Sequence, residues 1–418
     1  MQEIEEAIAL VESGNVAKAL NRLEHAEQTA DDEERYQIAG LYYEWGHVDQ
    51  AKKIVRKLRD RYPAENELAF FHAELLIDTG DEERAVEILT SIEGEEQDEL
   101  RAMLLLADIY MSQGLDEVAE QKLLEAKRMA PDEAVVAYAL GEFYTMLGDY
   151  KKSVPHYEQV LADGGLPGEN VALRLAEAFS GSGEFEKALP YYQQAMNDPF
   201  ESEGLFNYGF TAFQAGEYGQ AVQVLTDLKE RDPDFGKLYI YLVKSYRAEG
   251  AIPEALKTAE EGLAVNEFDD NLAYEAGDLA LSDGRVEEAE QYLKKALEIN
   301  SLHHGTLKSL AGLYSQQERY DEIITLLGAV EDNEEQDPVF AWYLATAKRE
   351  QERYDEALRH YEHAYRALKE DPAFLEEYGD FLIEEGRREE AVTMFKQALA
   401  VDPSLVHLDD KMRHFEED

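Results

Sequence analysis

The chain has 418 residues, with 91 Asp and Glu against 40 Lys and Arg, a formal net charge of −51. Such a surface repels phosphate backbones and anionic bilayers, which argues against nucleic acid or membrane insertion and favours basic protein segments as partners. The lack of Cys excludes disulfides, thiolate metal sites and a Cys nucleophile, while 25 Tyr and 16 Phe argue against a disordered acidic polymer.

The chain opens on an acidic, amphipathic stretch, MQEIEEAIALVESG, without the basic start and apolar run of a signal peptide. Its Ile4, Ile8 and Val11 pack onto the second repeat or offer a terminal surface for self-association. From there one pattern recurs: a small residue, Tyr three positions on, a turn Gly, then Ala and an aromatic or Leu in a second segment. Gly14, Gly46, Gly80, Gly114, Gly148, Gly183, Gly216, Gly250, Gly284 and Gly386 mark the turns, with Glu318 and Glu352 at the two steps that lack glycine. The step is about 34 residues, which predicts twelve helix–turn–helix units along nearly the whole chain.

Each slot has a physical reason. Ala39, Ala73, Ala107, Gly141, Ala176 and Gly209 fall where the second helix crosses closely, and Ala51, Ala85, Ala119, Ala188, Ala221, Ala255, Ala289, Ala357 and Ala391 answer them. Tyr42, Tyr110, Tyr144, Phe179, Tyr246 and Tyr314 are then wedges between helices, and Pro63, Pro131, Pro233 and Pro403 stop the second helix. Bends are expected at 163–170 (DGGLPGEN) and 331–338 (EDNEEQDP), within one repeat array over 1–403. The remainder, 404–418, begins with a capping helix in which Ser404 is the N-cap and Val406, Met412 and Phe415 cover the last repeat. The apolar runs, such as Met103–Ala107, fall far short of the ~20 residues of a membrane span, so a cytoplasmic protein is expected.

These residues resemble the tetratricopeptide-repeat (TPR) family, and the whole organisation is similar to the YpiA-type cytoplasmic TPR proteins of Gram-positive bacteria. The resemblance implies an all-α fold: an α-solenoid of about twelve repeats wound as a right-handed superhelix. It also implies a concave face, lined by the first helix of each pair, that receives peptides or partner proteins, and no enzymatic activity. By the family's positions, the fifth residue of the first helix faces this groove: Tyr36, Phe70, Leu104, Tyr138, Leu173, Phe206, Ile240, Tyr274 and Trp342. The ninth gives Glu74, Asp108, Glu142 and Glu177, then Phe210, Lys244 and Asp278; the twelfth adds Met111, Phe213 and Arg247. Four successive carboxylates one turn beyond apolar residues predict a column that complements a basic or amphipathic segment. The basic clamp that TPR proteins use on chaperone carboxylates is missing at these positions.

An adaptor or scaffold is therefore expected, with a receptor for a short signalling peptide as the alternative and an enzyme as the remotest reading. His360 and His363 have helical spacing for a metal, yet a solvated helix face explains them without one. Ser180-Gly-Ser-Gly183 is a helix end and turn, and phosphate-binding or nucleophile motifs do not occur, so no cofactor is expected.

Overall fold

The computed structural model describes residues 2–196, 201–328, 330 and 337–416, the side chains of 414–416 excepted. Among these residues there are twenty-five helices, numbered here α1 to α25 in chain order, and no strand. The first twenty-four form twelve successive hairpins, so the chain is an all-α TPR solenoid. By internal packing it divides into two compact units, Met1–Pro199 and Phe200–Asp418.

The second hairpin of unit 1 shows how the sequence makes the repeat. Asp31 opens α3 (Asp32–Glu44) with a capping box: its carboxylate accepts from the Glu34 N–H at 2.9 Å, and the Glu34 carboxylate accepts from the Asp31 N–H at 3.1 Å. The helix ends where Gly46 turns left-handed at φ +78°. Beyond it the His47 N–H donates to the Tyr42 carbonyl at 2.7 Å, closing the turn into α4 (Val48–Arg61). Ala39 of α3 and Ala51 of α4 are completely buried at the crossing, with Tyr42 wedged beside them.

The remaining expected turn glycines repeat this conformation, with φ between +70° and +81°. In unit 2, Glu318 and Glu352 adopt it as well, at φ +57° and +59°. Their turns keep the closing bonds, Arg319 N–H to Tyr314 O at 2.8 Å and Arg353 N–H to Lys348 O at 2.9 Å. A side chain in that region costs about 1 kcal/mol. Residues just past these turns add compensating contacts. Arg319 grips Glu290 with two bonds of 2.8 and 2.9 Å and lies 4.2 Å over the Tyr314 ring. The hydrogen bond from Arg319 holds the Glu290 carboxyl down at about 2, against the opposing effect of burial.

Close approach explains glycine within a first helix. A Cβ on Gly141, in α9 (Ala134–Met146), would lie 2.5 Å from the ring of Tyr157, in α10 (Tyr150–Ala162). Tyr157 is among the largest fully buried side chains, so the glycine is the space its ring occupies.

The expected bend at 163–170 lies inside unit 1, between α10 and α11 (Val171–Gly181), where Gly164, Gly165 and Gly168 have positive φ. Asn170 then caps α11, accepting from the Leu173 N–H at 3.1 Å. The expected bend at 331–338 lies outside the described residues except for Asp337 and Pro338, which start α21 (Pro338–Glu350).

The termini depart in detail from the sequence reading. In α1 (Gln2–Glu12), Ile4 is buried and Val11 half-buried, whereas Ile8 is 38% exposed. At the other end, α25 (His407–Glu416) buries Leu408 and Met412 against Phe395 and Ala398 of α24 (Arg388–Val401). Val406 does not cover the last repeat; it is 66% exposed, because the helix starts one residue later and turns Leu408 inward. Ser404 is not a cap either: its N–H donates to Asp402 at 2.9 Å in the turn before α25. The Phe415 side chain lies outside the described residues.

Candidate partner-binding surfaces

In unit 1 the first helices that carry the expected acidic column are α5 (Asn66–Asp78), α7 (Glu96–Ser112), α9 and α11. Two arginines pair with three of its members. Arg101 of α7 reaches back to Glu67 and Glu74 of α5, each at 3.1 Å. Arg174 of α11 contacts Glu142 of α9 at 3.4 Å and Glu177 of its own helix at 3.3 Å. Tyr157 supports Glu142 from the core, donating its hydroxyl at 2.6 Å. Asp108 is exposed and, among the described residues, has no ion-pair partner; desolvation by the surrounding protein raises its pKa. The column is thus partly neutralised from within, and Asp108 is its member without an ion pair among the described residues.

The apolar slots of this unit differ among themselves. Phe70 is completely buried, with the Arg101 guanidinium 4.2 Å above its ring, so it is not offered to a partner. This corrects the expectation that it lines the groove: the next first helix and its arginine close over it. Tyr36, in the same slot of the preceding repeat, is 39% exposed and meets Phe71 edge-on at 5.7 Å. Leu104, Met111 and Leu173 are half-buried. Tyr138 is half-buried too and donates to Glu169 at 2.6 Å; burial, then that bond, pushes its pKa up to about 12.

In unit 2 the first helices α13 (Ser202–Gln214) and α15 (Lys237–Ala248) carry an aromatic cluster instead. Phe206, Phe210 and Phe213 surround Tyr241, with ring centroids 5.8, 4.9 and 5.6 Å from it. Phe235 joins at 5.3 Å from Phe206. All five rings are half-buried and packed among themselves. Beside them Arg247 bonds Glu275 at 2.9 Å and Asp278 at 2.5 Å, both on α17 (Asp270–Ser282), and Lys244 approaches Glu275 at 3.7 Å. Tyr274 of α17 packs against His303 at 4.9 Å.

Sequence reading missed Arg101, Arg174, Phe235, Tyr241 and Glu275. The usable signal was separation: Arg101 lies 34 and 27 residues from its partners, and Arg247 lies 28 and 31 from its own, spacings that join adjacent first helices. His360 and His363, on α22 (Tyr354–Leu368), are half-buried rather than on a solvated face. His360 lies 3.0 Å from the ammonium of buried Lys348, which also pairs with Glu356 at 3.2 Å. Among the described residues no group of three His, Asp or Glu is placed to hold a metal, and no helix is long and apolar enough to cross a membrane.

Comparisons with known proteins show the family of the repeats. A family model for YpiA-like tetratricopeptide repeats matches residues 112–165, and one for YpiA-like C-terminal tetratricopeptide repeats matches 338–404. A general tetratricopeptide-repeat model matches 173–234 and 242–303, and a tetratricopeptide repeat protein 21 ARM-repeat model matches 1–119. The TPR repeat-containing protein YpiA of Bacillus subtilis (strain 168) is 42% identical over 416 residues, covering 99% of this chain and 98% of that protein. Among solved structures, the APC/C hetero-tetramer Cut9-Hcn1 aligns over 99% of this chain and 95% of its own, at 14% identity and a TM-score of 0.41. YrrB, described as a TPR protein with an unusual peptide-binding site, aligns over 45% of this chain and 96% of its own, at 14% identity and a TM-score of 0.40.

Proposed function

We propose that this chain, which belongs to the YpiA-like family of tetratricopeptide-repeat proteins, is a non-catalytic adaptor whose first-helix faces hold amphipathic, basic segments of partner proteins. The protein-interaction role rests on the repeat family. The finer reading rests on one observation: the rings of Phe206, Phe210, Phe213 and Tyr241, on first helices of unit 2, pack together yet remain only half-buried. Such rings offer an apolar anchor site, since buried aromatic contacts supply much of the energy of small interfaces. Unit 1 offers a separate face, where the acidic column favours cations and Asp108 is exposed without an ion-pair partner among the described residues.

The test is fluorescence anisotropy with a labelled peptide of Lys, Arg, Leu and Phe and the full chain. Phe210→Ala is expected to weaken binding about tenfold and Asp108→Lys by a smaller factor. Raising the salt concentration should weaken the wild type and remove most of the difference made by Asp108→Lys. Equal affinity of wild type and both variants, with helicity retained, would sink this reading.

A further inference from the structure

The strongest local departure from the chain's charge is on α4, VDQAKKIVRKLRDR. It holds six cations, Lys52, Lys53, Arg56, Lys57, Arg59 and Arg61, against two carboxylates, Asp49 and Asp60, in a protein of net charge −51. Three of the cations are used within unit 1. Arg61 pairs with Asp32, Lys52 donates to Thr79 at 3.0 Å, and Arg59 lies 3.4 Å from His72. Half-burial, then the nearby Arg59 and Arg56, keep His72 neutral, with a pKa of about 4, so it adds no charge to the patch.

The other three are different. Lys53, Arg56 and Lys57 are exposed, and among the described residues none has a carboxylate within ion-pairing distance. Their spacing places them on one face of the helix, within about 6 Å along its axis. Lys57 and Arg61 also line a cleft of about 360 Å³ shared with Arg35, Asp32 and Glu27. In a chain with more than twice as many acids as bases, three neighbouring unpaired cations are the groups that the protein's own carboxylates most easily reach, yet none does.

We propose that this face of α4 is a docking surface for a short acidic segment of a partner protein. Its size selects the occupant. A duplex or a bilayer would extend well past about 6 Å and meet the acids around it, Glu27 and Asp32 in the cleft and Asp49 and Asp60 on α4 itself. Two or three carboxylates on one helical turn match the three cations without that repulsion, and arginine among them favours bidentate contact. The surface belongs to a second helix of a repeat and carries the opposite sign from the first-helix faces. A chain with both could hold a basic segment and an acidic segment at once.

The experiment uses the full chain and a short fluorescein-labelled peptide of Glu, Asp and Leu, with the basic peptide of the preceding test run in parallel. Wild type should bind the acidic peptide in a salt-sensitive manner. The triple variant Lys53→Gln, Arg56→Gln, Lys57→Gln should lose about tenfold or more in affinity while binding the basic peptide unchanged. The variant Lys53→Arg, Lys57→Arg should keep the acidic peptide, which separates charge from packing. Loss confined to the acidic peptide supports the proposal whether or not the basic peptide binds. Acidic-peptide affinity that is absent in the wild type, or equal in wild type and the Gln variant, overturns it. So does stronger patch-dependent binding of single-stranded DNA or of phosphatidylserine vesicles.

Discussion

The first-helix faces of the two units are built on the same repeat and both use arginines between neighbouring first helices, as Arg247 does in unit 2, but they differ at α13 and α15. In unit 1, adjacent helices are joined by arginines, Arg101 to Glu67 and Glu74, and Arg174 to Glu142 and Glu177. In unit 2, α13 and α15 are joined by rings gathered around Tyr241. The turns differ too: the repeat turns of unit 1 have glycine, whereas unit 2 sets Glu318 and Glu352 in the same left-handed conformation. The repeat code therefore fixes the crossing and the turn geometry, while the face between them is free to vary in chemistry. Ring contacts withstand salt; exposed ion pairs weaken with it.

Tyr241→Ala should break the aromatic side of this comparison most severely. Removing the hub of a half-buried cluster is expected to destabilise unit 2 by about 2–3 kcal/mol, below the cost of a fully buried ring. The urea midpoint should fall by the same amount at low and high salt; a salt-dependent loss would contradict the assignment. Arg101→Ala tests the electrostatic side and should cost about 1 kcal/mol, because its ion pairs are half-exposed and its packing over Phe70 is also lost. That cost should shrink in high salt without vanishing, since the cost of uncovering the Phe70 ring remains; complete insensitivity to salt would show that the pairs do little. The smallest effect sharpens the turn comparison. Glu318→Gly should raise stability by roughly 0.5–1 kcal/mol by relieving the left-handed side chain. A loss instead would mean that Glu318 makes contacts worth more than the strain.

What could be read from the sequence was whatever a single slot dictates. Ala51 and Gly141 are small because the opposing helix leaves no room, and Glu318 and Glu352 were placed by counting steps, so the hairpins were legible in full. Surface chemistry was less legible, because it depends on neighbours one repeat away. Tyr36 and Phe70 occupy equivalent positions, yet one is exposed and the other is sealed beneath Arg101. Glu74 and Glu142 read as open acids until their arginines are located on the following first helices. The terminal helix was legible as a helix, while its register moved the inward residue from Val406 to Leu408.

The contact between Gly141 and Tyr157 also limits how the protein can change by single steps. With 2.5 Å between a would-be Cβ and the ring, a methyl at 141 is tolerated only after Tyr157 has become smaller. A smaller residue at 157 leaves a void and takes away the hydroxyl that Glu142 accepts. The permitted route therefore runs through a loosened intermediate, and its outcome is heard on the surface as an altered carboxylate. Grafting this repeat into another array carries the same condition: the two positions, and the acid above them, have to travel together.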